Sequence, residues 1–519
     1  MDVCGAVMGN RTKLLQRCGV HASEGESARV EVENDGDWLR QHVVIGFCDG
    51  TTMQVSSLFT ATIVGLSLVL ASPATAQRVN SVEALVTAVA EGKSGAIIEL
   101  TEGTFRLGQP LDLKSGVTLK GAGIGKTIIT NAEDWTANPA TLPDPETNFQ
   151  KFDRSGYLLR LADKAEGVTV SHLTLTGPKM HGAIFGFGNQ ELHFHDLRIE
   201  DFMNNGIRTY SMKKVKINDC TFVDAGQRWE KGQPGVKGGI TGGGIFGIWM
   251  ADSEIWNNRF LVTKTAPNEH FYGVKGRQAK RVHIHHNTIE AGFSIELPFE
   301  GDEDVEIDHN ILRSAVSIPK YAGGPVPASG RTFHIHHNYF TDGYSIEFVR
   351  NGVEIDHNLF DFDPAKDGGN LISAFGNVPA KGPASFHNNL VNNPGRGVMW
   401  MNEPYANLEV RNNHIIARTT KTPRTDGLFG FNDKSDFKTF SFTGNIIECI
   451  GTARSLFRND PSGGATVENN KLTNVPDTTR YTNAQTGKPA GLEQPLTFQC
   501  GVNGELTVDG WKTSKTPAK

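Results

Sequence analysis

From residue 168 to residue 472, apolar and polar positions follow a phrase that returns twelve times. It reads apolar, polar, apolar, two polar residues, usually Asn, any residue, then apolar again. Val282, Ile284, Asn287 and Ile289 carry one copy, and Val305, Ile307, Asn310 and Leu312 carry the next. Phe333, Ile335, Asn338 and Phe340 follow, then Val353, Ile355, Asn358 and Phe360. Neighbouring side chains leave opposite faces of a strand, so alternation with a period of two predicts strands. Each copy therefore predicts two short strands bent at the Asn. Copies recur at intervals of 20 to 38 residues, the mark of a repeat architecture. Between copies a variable stretch leads to a third predicted strand, at 206–210, 244–249, 293–296, 344–347, 397–400 and 427–431. Three strands per turn, stacked, make a parallel β-helix.

The bend position is filled by Leu173, Leu197 and Cys220, then by Asn258, Asn287, Asn310, Asn338, Asn358, Asn389, Asn413, Asn445 and Asn470. Asn tolerates left-handed backbone geometry and bonds to neighbouring main chain, so such a column predicts an amide ladder between coils. Cys220, in the same column, is expected to be a small buried residue. Helical spacing occurs once, over residues 82–90, and predicts an N-terminal cap that covers the open edge of the first coil. On the strength of the repeat and its Asn column, the chain resembles the right-handed parallel β-helix superfamily of pectate lyases, alginate lyases, chondroitinase B and polygalacturonases. The resemblance spans roughly residues 78 to 475. It implies an all-β, single-stranded right-handed parallel β-helix of about 12 coils with carbohydrate chemistry. It does not fix the reaction, since one fold hosts many.

Composition then sets the organisation. Residues 53–76 hold an apolar run that ends in Ala74, Thr75 and Ala76, and read as a secretory signal peptide cleaved before Gln77. The run is shorter than the ~20 residues of a membrane span, so stable insertion is not expected. Residues 1–52 ahead of it read as a mis-assigned or disordered leader, residues 77–475 as the β-helix, and residues 476–519 as a C-terminal cap and loose tail. The mature chain holds 46 basic against 49 acidic residues, which argues against a nucleic-acid partner. A secreted or periplasmic protein is expected. The cysteines form neither a disulfide framework nor a zinc site.

Apolar positions fill the interior of a β-helix, so chemistry must lie on an outer face walled by long loops. The third-strand positions carry Arg208, Tyr210, Trp249, His270, Tyr272, Lys275, Glu296, Lys320, Tyr321, Glu347, Arg350 and Trp400, clustered in the central coils. Rings that stack on sugars and charges that act at one linkage suit a groove for an acidic polysaccharide. Elimination beside a uronic acid needs a base, an acid and a group that quietens the substrate carboxylate. Lys275, Tyr272 and His270 fit the proton transfers, with Glu296 or Glu347 managing the substrate carboxyl. Arg208, Tyr210, Trp249, Lys320, Tyr321, Arg350 and Trp400 fit substrate binding. The stretch around Lys275 is similar to the region of alginate lyases and chondroitinase B that carries a catalytic Lys followed one coil later by an Arg. Lys275 matches the Lys, whereas the following coil offers Glu296 and no Arg.

A polysaccharide lyase is the favoured reading. The alternative is a glycoside hydrolase that uses Glu296 and Glu347, which in register would stand about 9–10 Å apart. A C5-epimerase and a non-catalytic glycan binder follow. His283, His285, His286, His309, His334, His336, His337 and His357 resemble a metal array but belong to the second strand or the bend, and read as a stacked, solvated column rather than a metal site. No cofactor is assigned. Calcium is the one ion kept open, with Asp302, Glu303 and Asp304 as its oxygen ligands.

Overall fold

The structure is a computed structural model. It describes residues 29–32, 43–46, 52–54, 76–137, 154–226, 242–263, 271–290, 293–297, 302–318, 330–341, 346–348, 352–363, 369–374, 383–401, 405–418, 427–432, 434–458, 464–476, 496–500 and 506–510. The chain divides into two units, Met1–Ala71 and Ser72–Lys519. In the first, Arg29–Val32, Val43–Gly46 and Thr52–Gln54 pair as an antiparallel sheet.

The second unit opens with strand Gln77–Val79 and helix Val82–Glu91. The Ser81 hydroxyl accepts the Ala84 N–H at 3.2 Å, which satisfies one of the orphan donors at the helix start. Leu85, Ala88 and Val89 form the buried stripe of this capping helix. No described helix is long and apolar enough to cross a membrane.

Beyond the cap, coils stack with parallel pairing throughout. From Lys216 onward each phrase folds as expected into two strands, such as Lys280–His285 and Thr288–Ile289, which pair in register with Val305–Asp308 and Ile311–Leu312 of the next coil. In the earlier coils Thr169–Thr176 and His193–Glu200 the two run on as single long strands. The third strands form a separate 12-stranded parallel sheet from Leu111–Leu113 to Phe429–Gly430, here called the front sheet. Ile284, Ile307, Ile335 and Phe340 are among the residues that fill one continuous core. The cap and parallel coils establish a right-handed parallel β-helix.

The bend differs from expectation in one respect. The residue in the left-handed region is the one before each Asn: His286, His309, His337 and His357 have φ of 54°, 51°, 53° and 52°. The turn therefore falls on a side chain that can point outward, while the Asn side chain is free to enter the ladder. Asn258 Nδ2 donates to Asn287 Oδ1 at 3.0 Å. The same bond repeats through Asn310, Asn338, Asn358, Asn389, Asn413 and Asn445 to Asn470, at 2.9 to 3.1 Å. Each Oδ1 also accepts the backbone N–H of the preceding Asn, as at Asn310 N to Asn338 Oδ1, 3.1 Å. Cys220 is buried as expected, and its N–H donates to Asn258 Oδ1 at 3.0 Å, which ties the apolar part of the column to the ladder.

Asn338→Ala should lower the unfolding free energy by about 3 kcal/mol, because it leaves the Asn310 backbone N–H without its acceptor and removes the amide's bonds to Asn358, Ile307 and His336. Asn470→Ala, at the last rung described, should lower it by about 1 kcal/mol. Denaturant midpoints of the two variants check this; equal losses would mean that the amides do not act as a ladder.

In residues 476–519, expected as cap and tail, Leu496–Cys500 and Leu506–Gly510 pair as an antiparallel hairpin.

A single outward row as the candidate active site

The front sheet aligns one residue from each coil. The register runs Arg160, Phe185, Arg208, Phe246, Lys275, Glu296, Ser317, Glu347, Ser373, Trp400, Gly430. The residues just before Arg208, Phe246, Lys275, Glu296, Ser317, Glu347, Ser373 and Trp400 are Ile207, Ile245, Val274, Ile295, Val316, Ile346, Ile372 and Met399, all wholly buried in the core. Strand alternation then puts the row itself on the outer face. Arg208, Lys275, Glu296, Glu347 and Trp400, singled out from sequence, thus share one line.

At its centre Lys275 Nζ meets Glu296 Oε2 at 2.5 Å, with side chains only 5% and 15% exposed. Glu296 Oε2 makes no aligned hydrogen bond, so the contact is an ion pair rather than a directed bond. Lys275 Nζ also lies 4.3 Å from the Tyr272 ring centroid and 5.9 Å from that of Phe246. A carboxylate and two π faces all attract an ammonium. Tyr272 in turn stacks on Phe293, with centroids 5.2 Å apart and planes 22° apart.

One end of the row is aromatic. Arg208 donates to Tyr210 Oη through Nη2 at 2.6 Å and Nε at 3.1 Å, and lies 4.7 Å from the Phe246 ring. Tyr157, Phe185, Tyr210, Phe246 and Ile248 form a second buried cluster outside the main core. Burial pushes the Tyr157 phenol well above its usual range, against the opposing charge of Arg208. The Arg154 guanidinium, 5.1 Å from the Phe185 ring, extends this patch. At the other end Trp400 lies over Gly430, where a Cβ would come within 2.4 Å of the indole, and Arg458 sits 4.6 Å from its ring.

The remaining candidates separate. Tyr210 belongs to a neighbouring outer row with Phe187, Ile248 and Arg277. Trp249 does not belong to the strand at all: Gly242–Ile248 ends before it, and it sits in a left-handed turn with φ of 56° and 38% exposure. The expected strand 244–249 is corrected accordingly. Glu347 is placed by its backbone register only. His270, Lys320, Tyr321 and Arg350 lie outside the described residues. So do most of the loops expected to wall a groove, at 227–241, 264–270, 364–368 and 419–426. A shallow depression among the described residues is elsewhere, on the first-strand sheet, around Glu354, Ser385, Glu409 and Ser441.

Sequence reading passed over Phe185, Phe246 and the ion pair at the row's start, where Arg160 grips Asp112 with two bonds of 2.6 Å. Aligning the third strands by their apolar residues would have found the two Phe residues.

The histidines occupy the bend and the strand before it, and those of the bend stack as expected, His286, His309, His337 and His357 following one another at 4.9 to 5.1 Å with planes within 5°, but the column is not wholly solvated. His285, His334 and His336 are half-buried, and carboxylates hold them: His283 Nε2 to Asp308 Oδ1 is 2.7 Å and His334 Nε2 to Asp356 Oδ1 is 2.7 Å. Burial would raise the Asp308 carboxyl, but hydrogen bonds from His283 and His309 outweigh it and hold it far below the usual carboxylate range. Two members of the acidic run considered for calcium are otherwise engaged. Asp302 accepts the Ala279 N–H at 2.6 Å and Glu303 pairs with Lys280 at 3.6 Å.

Residues 182–361 match the family model described as "Right handed beta helix region". No curated protein matches the chain. Among solved structures, the A-module of the Azotobacter vinelandii mannuronan C-5 epimerase AlgE6 is similar at 13% identity, over 76% of this chain and 94% of that one, with a TM-score of 0.45. The Yersinia enterocolitica family 28 exopolygalacturonase aligns at 12% identity over 84% and 83% of the two chains, with a TM-score of 0.44. The alginate lyase of Paenibacillus sp. str. FPU-7 aligns at 14% identity over 62% and 96%, with a TM-score of 0.32. By its own strand pairing the second unit folds as a right-handed parallel β-helix, and the family model covers residues 182–361 of it.

Proposed function

We propose that this protein is a glycan-cleaving enzyme whose reaction centre is the middle of the front-sheet row, with Glu296 and Glu347 as its carboxyl pair. The observation that carries the reading is their shared register across Ser317. Two strand steps put the backbones of the two glutamates about 9–10 Å apart. That spacing is close to the upper end of the range for hydrolysis with inversion, in which one carboxyl protonates the leaving oxygen and the other activates water. Glu296, ion-paired with Lys275, is assigned the role of base, which leaves Glu347 to deliver the proton. Lys275 positions Glu296 through charge. Trp400 supplies an aromatic surface further along the same line, and the expected substrate is an acidic polysaccharide met outside the cell.

Elimination, favoured by the sequence, is retained as the second reading because Lys275 and Tyr272 are in contact. It requires Lys275 to leave Glu296 and act as a free amine.

Incubation with alginate, pectate, chondroitin sulfate and sulfated fucans separates the two, if reducing ends and the ultraviolet absorbance of an unsaturated uronate are followed together. Hydrolysis gives reducing ends without absorbance, and absorbance rising in step with them would transfer the reaction to Lys275. For a hydrolysed substrate, proton NMR of the first product should show the inverted anomer; a retained anomer would exclude the assigned roles.

A further inference from the structure

The first-strand sheet, distinct from the front sheet, carries two outward columns whose charge type alternates from coil to coil. One reads Glu254, His283, Glu306, His334, Glu354; beside it run His285, Asp308, His336, Asp356, His387. The alternation makes the same three-donor set twice, two coils apart. Ligand atoms of Glu254, His283 and His285 lie within 4.8 Å of one another, and those of Glu306, His334 and His336 do likewise. The two sets are near copies. His285 Nε2 is 3.1 Å from Glu254 Oε1 and His336 Nε2 is 3.0 Å from Glu306 Oε1. Both His283 with His285 and His334 with His336 have ring centroids 3.9 Å apart.

We propose that each set binds one divalent first-row transition metal ion of the zinc class, through two imidazoles and one carboxylate, so that the chain holds two such ions.

The donor types suit such a metal, since imidazole with carboxylate favours zinc and its neighbours over calcium. Bonds of about 2.0–2.1 Å in a tetrahedron put ligand atoms about 3.4 Å apart. The His–Glu contacts already have nearly that span, and the second imidazole, within 4.8 Å, would exchange its bond to Asp308 or Asp356 for the metal. The far side of each ligating ring is also arranged. His285 Nδ1 faces His286 Nδ1 at 2.8 Å, and His336 Nδ1 faces His337 Nδ1 at 2.8 Å. Two nitrogens at that distance share one proton. With a metal ion on Nε2, the proton rests on His285 Nδ1 and is donated to His286 Nδ1. Metal-bound histidines are held in the same way, by a hydrogen bond from the distal N–H.

Two further sets, His283 with Glu306 and Asp308 and His334 with Glu354 and Asp356, share His283, Glu306 and His334 with these and offer one imidazole each, so the Glu254 and Glu306 sets, with two imidazoles each, are the ones assigned. One coil after Glu354 the matching position is Ser385, so the third repeat keeps Glu354 and His387, 3.2 Å apart, without a second imidazole. Glu254 is 41% exposed at its side chain, which leaves the first set open to entry from solvent. Each ion would join neighbouring coils, Glu254 to the strand that carries His283 and His285, and Glu306 to the one that carries His334 and His336.

The test is calorimetric titration of zinc into the full chain, stripped with chelator and desalted, with metal retained after a second desalting counted by elemental analysis. Two ions per chain are expected, with calcium in excess failing to displace them, and a thermal midpoint that rises with free zinc. Glu254→Gln should hold one ion and the double variant Glu254→Gln/Glu306→Gln none, both with unchanged far-ultraviolet circular dichroism. Zinc that washes off the parent chain entirely, or binding that persists undiminished in the double variant, would overturn the proposal. Glycan cleavage by the front sheet should be the same with and without zinc, so the two sites can fail independently.

Discussion

Glu296→Gln should lower turnover by about 10²–10⁴-fold, the usual contribution of a positioned acid or base, while leaving the coil stack intact. The substitution keeps the shape of the side chain and its place beside Lys275. It removes the charge that would activate water together with the counter-charge of the buried ammonium, so the fold is kept at a stability lower by a few kcal/mol, about the loss expected of Lys275→Met. Glu347→Gln should produce a loss of the same order. Because the two carboxyls serve one step, the double variant should lose little more than either single one. Turnover on the cleaved glycan, with circular dichroism to confirm folding, checks this. Full activity in Glu296→Gln would remove the row's centre from the mechanism.

Lys275→Met should have a large effect on stability. The ion pair is nearly sealed, and deletion of one partner leaves the other as an uncompensated buried charge, a loss of about 3–5 kcal/mol. Replacing both partners, as Lys275→Met/Glu296→Leu, should recover most of that loss, since an apolar pair of similar volume is often neutral or better. The double variant should nonetheless be inactive. Denaturant midpoints together with turnover separate the two roles of the pair. A double variant as unstable as Lys275→Met would mean that the pair is not what holds this part of the sheet.

The coil stack was legible because its information is local and repeated. Val282, Ile284, Asn287 and Ile289 specify two strands and a bend within eight residues, and the phrase returns often enough to fix the pitch. The left-handed residue was misplaced by one position, since propensity alone favours Asn over His there, and only the ladder bonds reveal that the Asn side chain is needed inside. The coils before residue 168 lack the Asn phrase and were covered only by the broader resemblance; Leu111–Leu113 and Tyr157–Leu161 join the front sheet on short apolar alternation. The site was half legible. The matching Ser-Ile-Glu triplets at 294–296 and 345–347 gave the alignment of Glu296 with Glu347, which strand pairing then supplied directly. The direct contact of Lys275 with Glu296 depends on side-chain conformation across coils, which no residue pattern encodes. The pairing of each histidine with an acid one coil away was hidden for the same reason, because alternation between coils is visible only once the register is known.

The placement of chemistry on the front sheet is tested most directly by a crystal structure of Glu296→Gln soaked with an oligosaccharide of the cleaved glycan. The account predicts sugar lying along the row from Lys275 towards Trp400, with a glycosidic oxygen between residues 296 and 347. Sugar bound instead on the histidine-bearing sheet, with the row beside Lys275 empty, would contradict it.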